Sequence, residues 1–174
     1  MMSDKKSLPL GKPLPAWTPR PIPPRKILEG TYARLEPLDA KTHGNDLVAA
    51  FKTTGPKSWT YLFHGPFNDD AGIRQWLVDS ANTSGFIYYA IVDLASGHAG
   101  GIASYMRMDT ANGVIEVGSI HYSDALKQTR ASTEATYLMM RHVFDDLGIS
   151  PLRMEMQFVQ RTVAPNCIAS RIFL

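Results

Sequence analysis

Residues 125–140 read ALKQTRASTEATYLMM. Lys127 and Arg130 stand just ahead of a run with helical spacing, in which Ala131, Ala135, Leu138, Met139 and Val143 recur on one face. A helix N-terminus already carries partial positive charge, so two cations there are unfavourable unless an anion joins them. The first-turn N–H groups have no intrahelical partner and point outward together. A strand that runs through a short loop into such a terminus is a phosphate-binding geometry. Gln128, Thr129, Ser132 and Thr133 supply further donors, and the small Ala131 lets an anion approach the backbone. The plain alternative is a solvated basic loop before an ordinary core helix. No glycine marks the loop, so it is neither a Walker loop nor a dinucleotide fingerprint.

Working upstream, FIYYAIVD (86–93), HAGGIASYMRM (98–108) and GVIEVGSIHYS (113–123) read as three strands joined by the turns LASG and DTAN. Before them, NDDAGIRQWLVDSANTSG (68–85) reads as a helix capped by Asn68 or Asp69 and ended before Gly85. DAKTHGNDLVAAFKTT (39–54) is another, with Leu47, Val48, Ala50 and Phe51 as its apolar face. TYARLEPL (31–38) begins the folded part as a strand. Downstream, Gly148 and Pro151 end the opening helix, and LRMEMQFV (152–159) is the last strand. The order is β-α-α-β-β-β-α-β, an α/β fold with a sheet of mixed direction. Residues 1–28 carry too many prolines for a helix or a central strand. They read as an extended tail, draped on the domain through Trp17 and Ile22 or mobile, and 29–174 as one domain.

The chain has 174 residues and a net charge of +2, with 44% hydrophobic residues. That suits one globular domain with a sizeable core. The charge is too small for a nucleic-acid footprint. One cysteine excludes an intrachain disulfide, and no Cys/His spacing suggests zinc. No apolar run spans a bilayer and no signal core is visible. The expectation is a cytoplasmic protein without metal, nucleic-acid or membrane partner; a homodimer is left open.

Residues 30 to about 156 resemble the GNAT superfamily of N-acyltransferases, in the branch that includes the ribosomal-protein N-terminal acetyltransferases. The resemblance rests on YARLEPL, WTYLFHGPF, YYAIVD…SGHAGGIASYMRMD, NGVIEVGSIHYS and LKQTRASTEATYLMMRHVFDDLG. It implies a mixed, mostly antiparallel sheet flanked by helices, with acetyl-CoA as co-substrate. In the family a Q/R-x-x-G-x-G/A segment holds the pyrophosphate; here it resembles the frame from Gln128 through Thr129, Arg130, Ala131 and Ser132 to Thr133, or the frame starting one residue earlier at Lys127, with both glycines replaced. The resemblance further implies that strand Val114–Tyr122 lines the pantetheine through Ile120, His121 and Tyr122, chiefly by backbone contacts.

Acetyl transfer to an amine needs a held thioester, a deprotonated amine and stabilised oxyanion charge. Glu116, a carboxylate within the apolar VIEVG, is the candidate base. Strand alternation puts Val114, Glu116, Gly118 and Ile120 on one face and His121, the second candidate base, on the other. The competing reading pairs Glu116 with Arg107 or leaves it solvated. Tyr105 and Tyr122 read as packing or as an acid. WTYLFHGPF is either plain core or the wall of an acceptor pocket. The acceptor is a small-molecule or peptide amine. The alternative function is a non-catalytic domain of this fold that binds CoA or a partner protein.

After its last strand this branch carries a segment like C-N-x-x-N-A-P-S-R-x-A-x-R-L-G-F, which MQFVQRTVAPNCIASRIFL lacks. Starting each triplet of Gln160 to Ile172 one nucleotide later, the constraints permit N-A-P-S-R-R-T-A-S-R-L-G-F. Met156 and Gln157 overlap to give cysteine, and the next triplet can encode asparagine. The expectation is a frameshift near Met156, a truncated domain with 157–174 out of register, and no family role for Asn166 or Cys167.

Overall fold

The computed structural model describes residues 15–148 and the backbone of 154–156. The segment 157–174, on which the frameshift reading falls, lies outside the described residues. The elements are β1 (Leu28–Glu29), β2 (Ala33–Pro37), α1 (Ala40–Lys52), a 3-10 turn (Pro56–Trp59), α2 (Asp70–Asn82), β3 (Ile87–Asp93), β4 (His98–Asp109), β5 (Val114–Tyr122), α3 (Arg130–Arg141), a π turn (His142–Asp146) and β6 (Met154–Met156). The sheet runs in chain order from β1 to β6. Neighbours are antiparallel up to β5, and β5 pairs parallel with β6. This is the α/β order with a sheet of mixed direction that the pattern predicts, and the mostly antiparallel sheet flanked by helices that the resemblance implies, with the two-residue β1 added at its front.

Helices cover both faces. β3 shows why: its run Ile87–Val92 is buried throughout, so neither face meets water. Ile87, Tyr89 and Ile91 join the cluster under α3, whereas Tyr88, Ala90 and Val92 join the cluster under α1 and α2. α3 presents Ala131, Ala135, Leu138 and Met139, and the π turn that continues it presents Val143; this is the predicted stripe, all buried. α1 contributes Leu47, Val48 and Phe51, and α2 Ile73, Trp76 and Leu77. Fully burying one such Leu or Phe stabilises the fold by ~2–3 kcal/mol.

Side chains start each helix. The Asp39 carboxylate accepts from the N–H groups of Lys41 and Thr42, and that of Asp69 from Gly72. Thr129 and Ser132 form a reciprocal capping box on α3. The proline-rich segment runs from the β4–β5 turn past Tyr89 of β3 towards the end of α3 without joining the sheet. The Arg20 N–H donates to the Thr110 carbonyl at 2.9 Å, and the Trp17 indole N–H to that of Ala111 at 2.8 Å. Trp17 packs on Gly113, where any Cβ would collide with its ring. Ile22 is exposed and Pro23 is buried instead. Lys26 closes the strap on Asp146 at 2.7 Å.

Candidate active site

β5 is irregular where the candidate residues sit. Ser104 pairs with Gly118 and Ile102 with His121, so Ser119 and Ile120 together oppose Ala103. Ser119 takes a left-handed φ of 49°, the signature of a β-bulge. The bulge reverses alternation beyond it. Simple alternation grouped Ile120 with Glu116 and set His121 opposite; the structure corrects this. Glu116, Gly118 and His121 share the α1/α2 face, and Ile120 packs with the cluster under α3. The Tyr88 hydroxyl donates to Ser119 Oγ at 3.2 Å, and Ser104 Oγ donates to the Gly118 carbonyl at 3.1 Å, which hold the bulge in place.

Glu116 is 5% exposed. Arg107 Nη1 donates to its Oε2 at 2.9 Å, from a side chain that is itself 61% exposed. The competing ion-pair reading of Glu116 is therefore present in the geometry. Arg107 occupies a second bulge: Met106 pairs with Glu116 and Asp109 with Val114, so Arg107 and Met108 oppose Ile115. Arg107 also has a left-handed φ, 48°.

His121 is sealed in. Its ring lies 3.8 Å from the Trp59 ring and 4.5 Å from that of Phe51, centroid to centroid. Its Nε2 is buried without a partner among the described residues. Burial, then the nearby Lys127 charge, push its pKa down to about 4 against the opposing effect of Asp124. A neutral, enclosed imidazole is poorly placed to exchange protons with a substrate. The Tyr122 hydroxyl meets Thr136 Oγ1 at 3.3 Å, and burial raises its pKa. Tyr105 donates to the Met139 carbonyl at 2.8 Å from full burial, which is a packing role.

The loop from β5 to α3 is built from its own backbone. The N–H groups of Leu126 and Lys127 both donate to the Ser123 carbonyl at 3.0 Å. Gln128 is exposed with φ 59°. Thr129 Oγ1 accepts from the Ser132 N–H at 3.1 Å, and Ser132 Oγ from the Thr129 N–H at 3.2 Å. Thr133 Oγ1 turns back to the Thr129 carbonyl, and Ala131 is buried in the core. The first turn of α3 contains no acidic residue.

The two cations of the loop behave differently. Arg130 is exposed, its guanidinium 5.4 Å from the Tyr32 ring centroid and 3.3 Å from the Tyr32 hydroxyl. Lys127 is tied down, with Nζ 2.6 Å from Asp124 Oδ1 and 2.7 Å from Ser58 Oγ. Sequence reasoning missed these partners, because Ser58 and Tyr32 are far away in the chain. It also missed Glu134. That carboxylate accepts from the N–H groups of Thr31, Tyr32 and Ala33 at 2.9, 2.6 and 2.8 Å. A Cβ on Gly30 would land on it. Its negative charge is thus satisfied by the β1–β2 turn.

In WTYLFHGPF, Trp59 is buried and packs with Phe67 and Trp76, whereas Tyr61 and Phe63 are exposed. Among the described residues no three His, Cys, Asp or Glu side chains gather as a metal site, and no helix is long and apolar enough to cross a membrane.

An exposed cation thus stands at the N-terminus of a helix that follows a bulged strand, within an α/β domain. No family model matches the chain, and no curated protein does. Among solved structures it is 44% identical to a GCN5-related N-acetyltransferase from Brucella melitensis, with a TM-score of 0.75 over 78% of this chain. It spans 62% of the length of that protein. It is 32% identical to a probable acetyltransferase of the GNAT family from Chromobacterium violaceum, with a TM-score of 0.74, covering 86% of this chain and 74% of that one. The ribosomal L7/L12 alpha-N-protein acetyltransferase RimL shares the fold at 15% identity and a TM-score of 0.55, over 71% of this chain and 67% of that one. The chain belongs to the GNAT family of acetyltransferases.

Proposed function

We propose that this chain is an acetyl-CoA-dependent N-acetyltransferase of the ribosomal-protein N-terminal acetyltransferase-like branch, acting in the cytoplasm on a primary amine of a peptide or small molecule. Its transferase domain runs from residue 29, behind the tail 1–28. The observation that carries the reading is the start of α3: Arg130 exposed beside Tyr32, no acid in the first turn, and the Glu134 carboxylate turned to the N–H groups of Thr31, Tyr32 and Ala33. That donor set suits a pyrophosphate. When bound, acetyl-CoA supplies an acyl group activated as a thioester. Arg130 and the first-turn N–H groups hold its phosphates, with Gln128, Thr129 and Thr133 at the rim. Lys127 supports the loop through Ser58 and Asp124. The backbone of Ile120, His121 and Tyr122 lines the pantetheine. Glu116 accepts the proton of the amine, directly or through water.

The ion pair of Glu116 with Arg107 favours a second reading, a non-catalytic CoA-binding domain whose carboxylate is structural. A thermal-shift titration with acetyl-CoA, followed by a thiol-release screen over amines, separates the two. Stabilisation without thiol release supports the second reading; neither response removes both.

We also propose that the register of the chain changes near Met156, on the codon fit of Gln160 to Ile172. Codons that do not spell N-A-P-S-R-R-T-A-S-R-L-G-F one nucleotide on would overturn this.

A further inference from the structure

Among the described residues, three non-glycine residues have left-handed backbone: Arg107, Ser119 and Gln128. All lie beside the candidate site. Such conformations are sparsely populated and persist where the surroundings impose them. At Arg107 the imposed bulge turns a long, exposed cation back over a buried carboxylate. Its one side-chain hydrogen bond among the described residues goes to Glu116 Oε2. The other oxygen, Oε1, has no hydrogen bond among the described residues and faces Gly118, where a Cβ would come within 3.4 Å of it. The carboxylate is therefore held from one side by an N–H cation that has one foot in water.

We propose that Arg107 is a specificity-determining gate: its guanidinium occupies the place on Glu116 that the ammonium group of the acceptor takes. This rests on the assignment of Glu116 as the group that meets the amine. Acceptors that arrive as cations, the primary alkylamines, compete with Arg107 for the carboxylate. Amines that are neutral at the working pH, such as arylamines, have no charge with which to displace it. An ion pair with one exposed partner is weak, so the gate yields to a cation. It reduces the apparent affinity by the fraction of molecules in which Arg107 is closed.

The test is a titration of the full chain with propylammonium chloride, followed by NMR, for the wild type and for Arg107→Gln. The variant is expected to bind propylammonium roughly fivefold more tightly, the reach of a weak exposed pair. Its KM for propylamine should fall by the same factor, while the KM for acetyl-CoA stays within about twofold. Equal or weaker propylammonium binding by the variant overturns the gate. In the wild type, the Arg107 Nε resonance should move along the same titration curve towards that of a free guanidinium; a signal unmoved at saturation overturns it too. That arm holds even where Arg107→Gln fails to fold with Glu116 left unpaired. If no amine yields thiol release from either protein, the acetyltransferase reading fails, while the titrations still decide the role of Arg107.

Discussion

His121 and Glu116 face the same side of β5, because the bulge at Ser119 inserts one residue between them. They share a face but not an environment. Glu116 meets a cation that reaches into solvent, and His121 is closed between Trp59 and Phe51.

The burial of His121 makes stability depend on pH. Its imidazole titrates near 6.5 when free and near 4 in the fold, lowered by burial and then by Lys127. As pH falls through that window, the unfolded chain takes up a proton that the folded chain refuses. Stability should therefore decrease from pH 6.5 towards 4, by on the order of 3 kcal/mol. Urea unfolding of the wild type and of His121→Phe at pH 7, 6 and 5 checks this. A wild-type slope that survives in the variant would assign it to another group.

Glu116→Gln should lower kcat by about 100-fold or more, the range of a lost general base. The KM for acetyl-CoA should stay near that of the wild type. Steady-state kinetics with separate titrations of amine and acetyl-CoA read the split. An unaltered rate removes Glu116 from the chemical step.

Arg130→Glu should weaken acetyl-CoA binding by about tenfold or more, through loss of a charge-assisted bond and added repulsion. Lys127→Met should act differently, since Lys127 already bridges Asp124 and Ser58. It should lower Tm and affect affinity less than Arg130→Glu does. Calorimetric titration and a melting curve on both variants test the division of labour; equal losses of affinity would return Lys127 to the phosphate site.

Glu134→Ala removes the acceptor of three backbone N–H groups. It should destabilise the domain by about 2 kcal/mol. Burial raises the Glu134 pKa, but the bonds from Thr31, Tyr32 and Ala33, with the Arg141 charge, outweigh it, so the net shift is downward from 4.5. The contribution is thus complete above pH 4.5 and is lost as pH falls through the depressed value. Unfolding of the variant and wild type at pH 7 and pH 3 should differ less at the lower pH.

The helices and the central strands were legible because burial writes a period into the sequence. The stripe of α3 is an example, buried as its spacing requires. The face of His121 was not legible. A bulge depends on the φ of Ser119, and serine carries no signal for a left-handed backbone. Long-range polar contacts were equally hidden: nothing near Lys127 announces Ser58, and nothing near Glu134 announces Thr31. Glu116 and its partner Arg107 could be weighed together beforehand because they sit on adjacent strands of one hairpin.

The grip of Glu134 on the β1–β2 turn also sets a clock. The amide hydrogens of Thr31, Tyr32 and Ala33 are held by a side chain on α3. They exchange with solvent deuterium when the Glu134 carboxylate lets go of the turn, as it must when that helix lifts from the sheet. Three hydrogens of one turn therefore report together on how often Glu134 lets go, and a ligand that steadied the start of its helix would slow all three together.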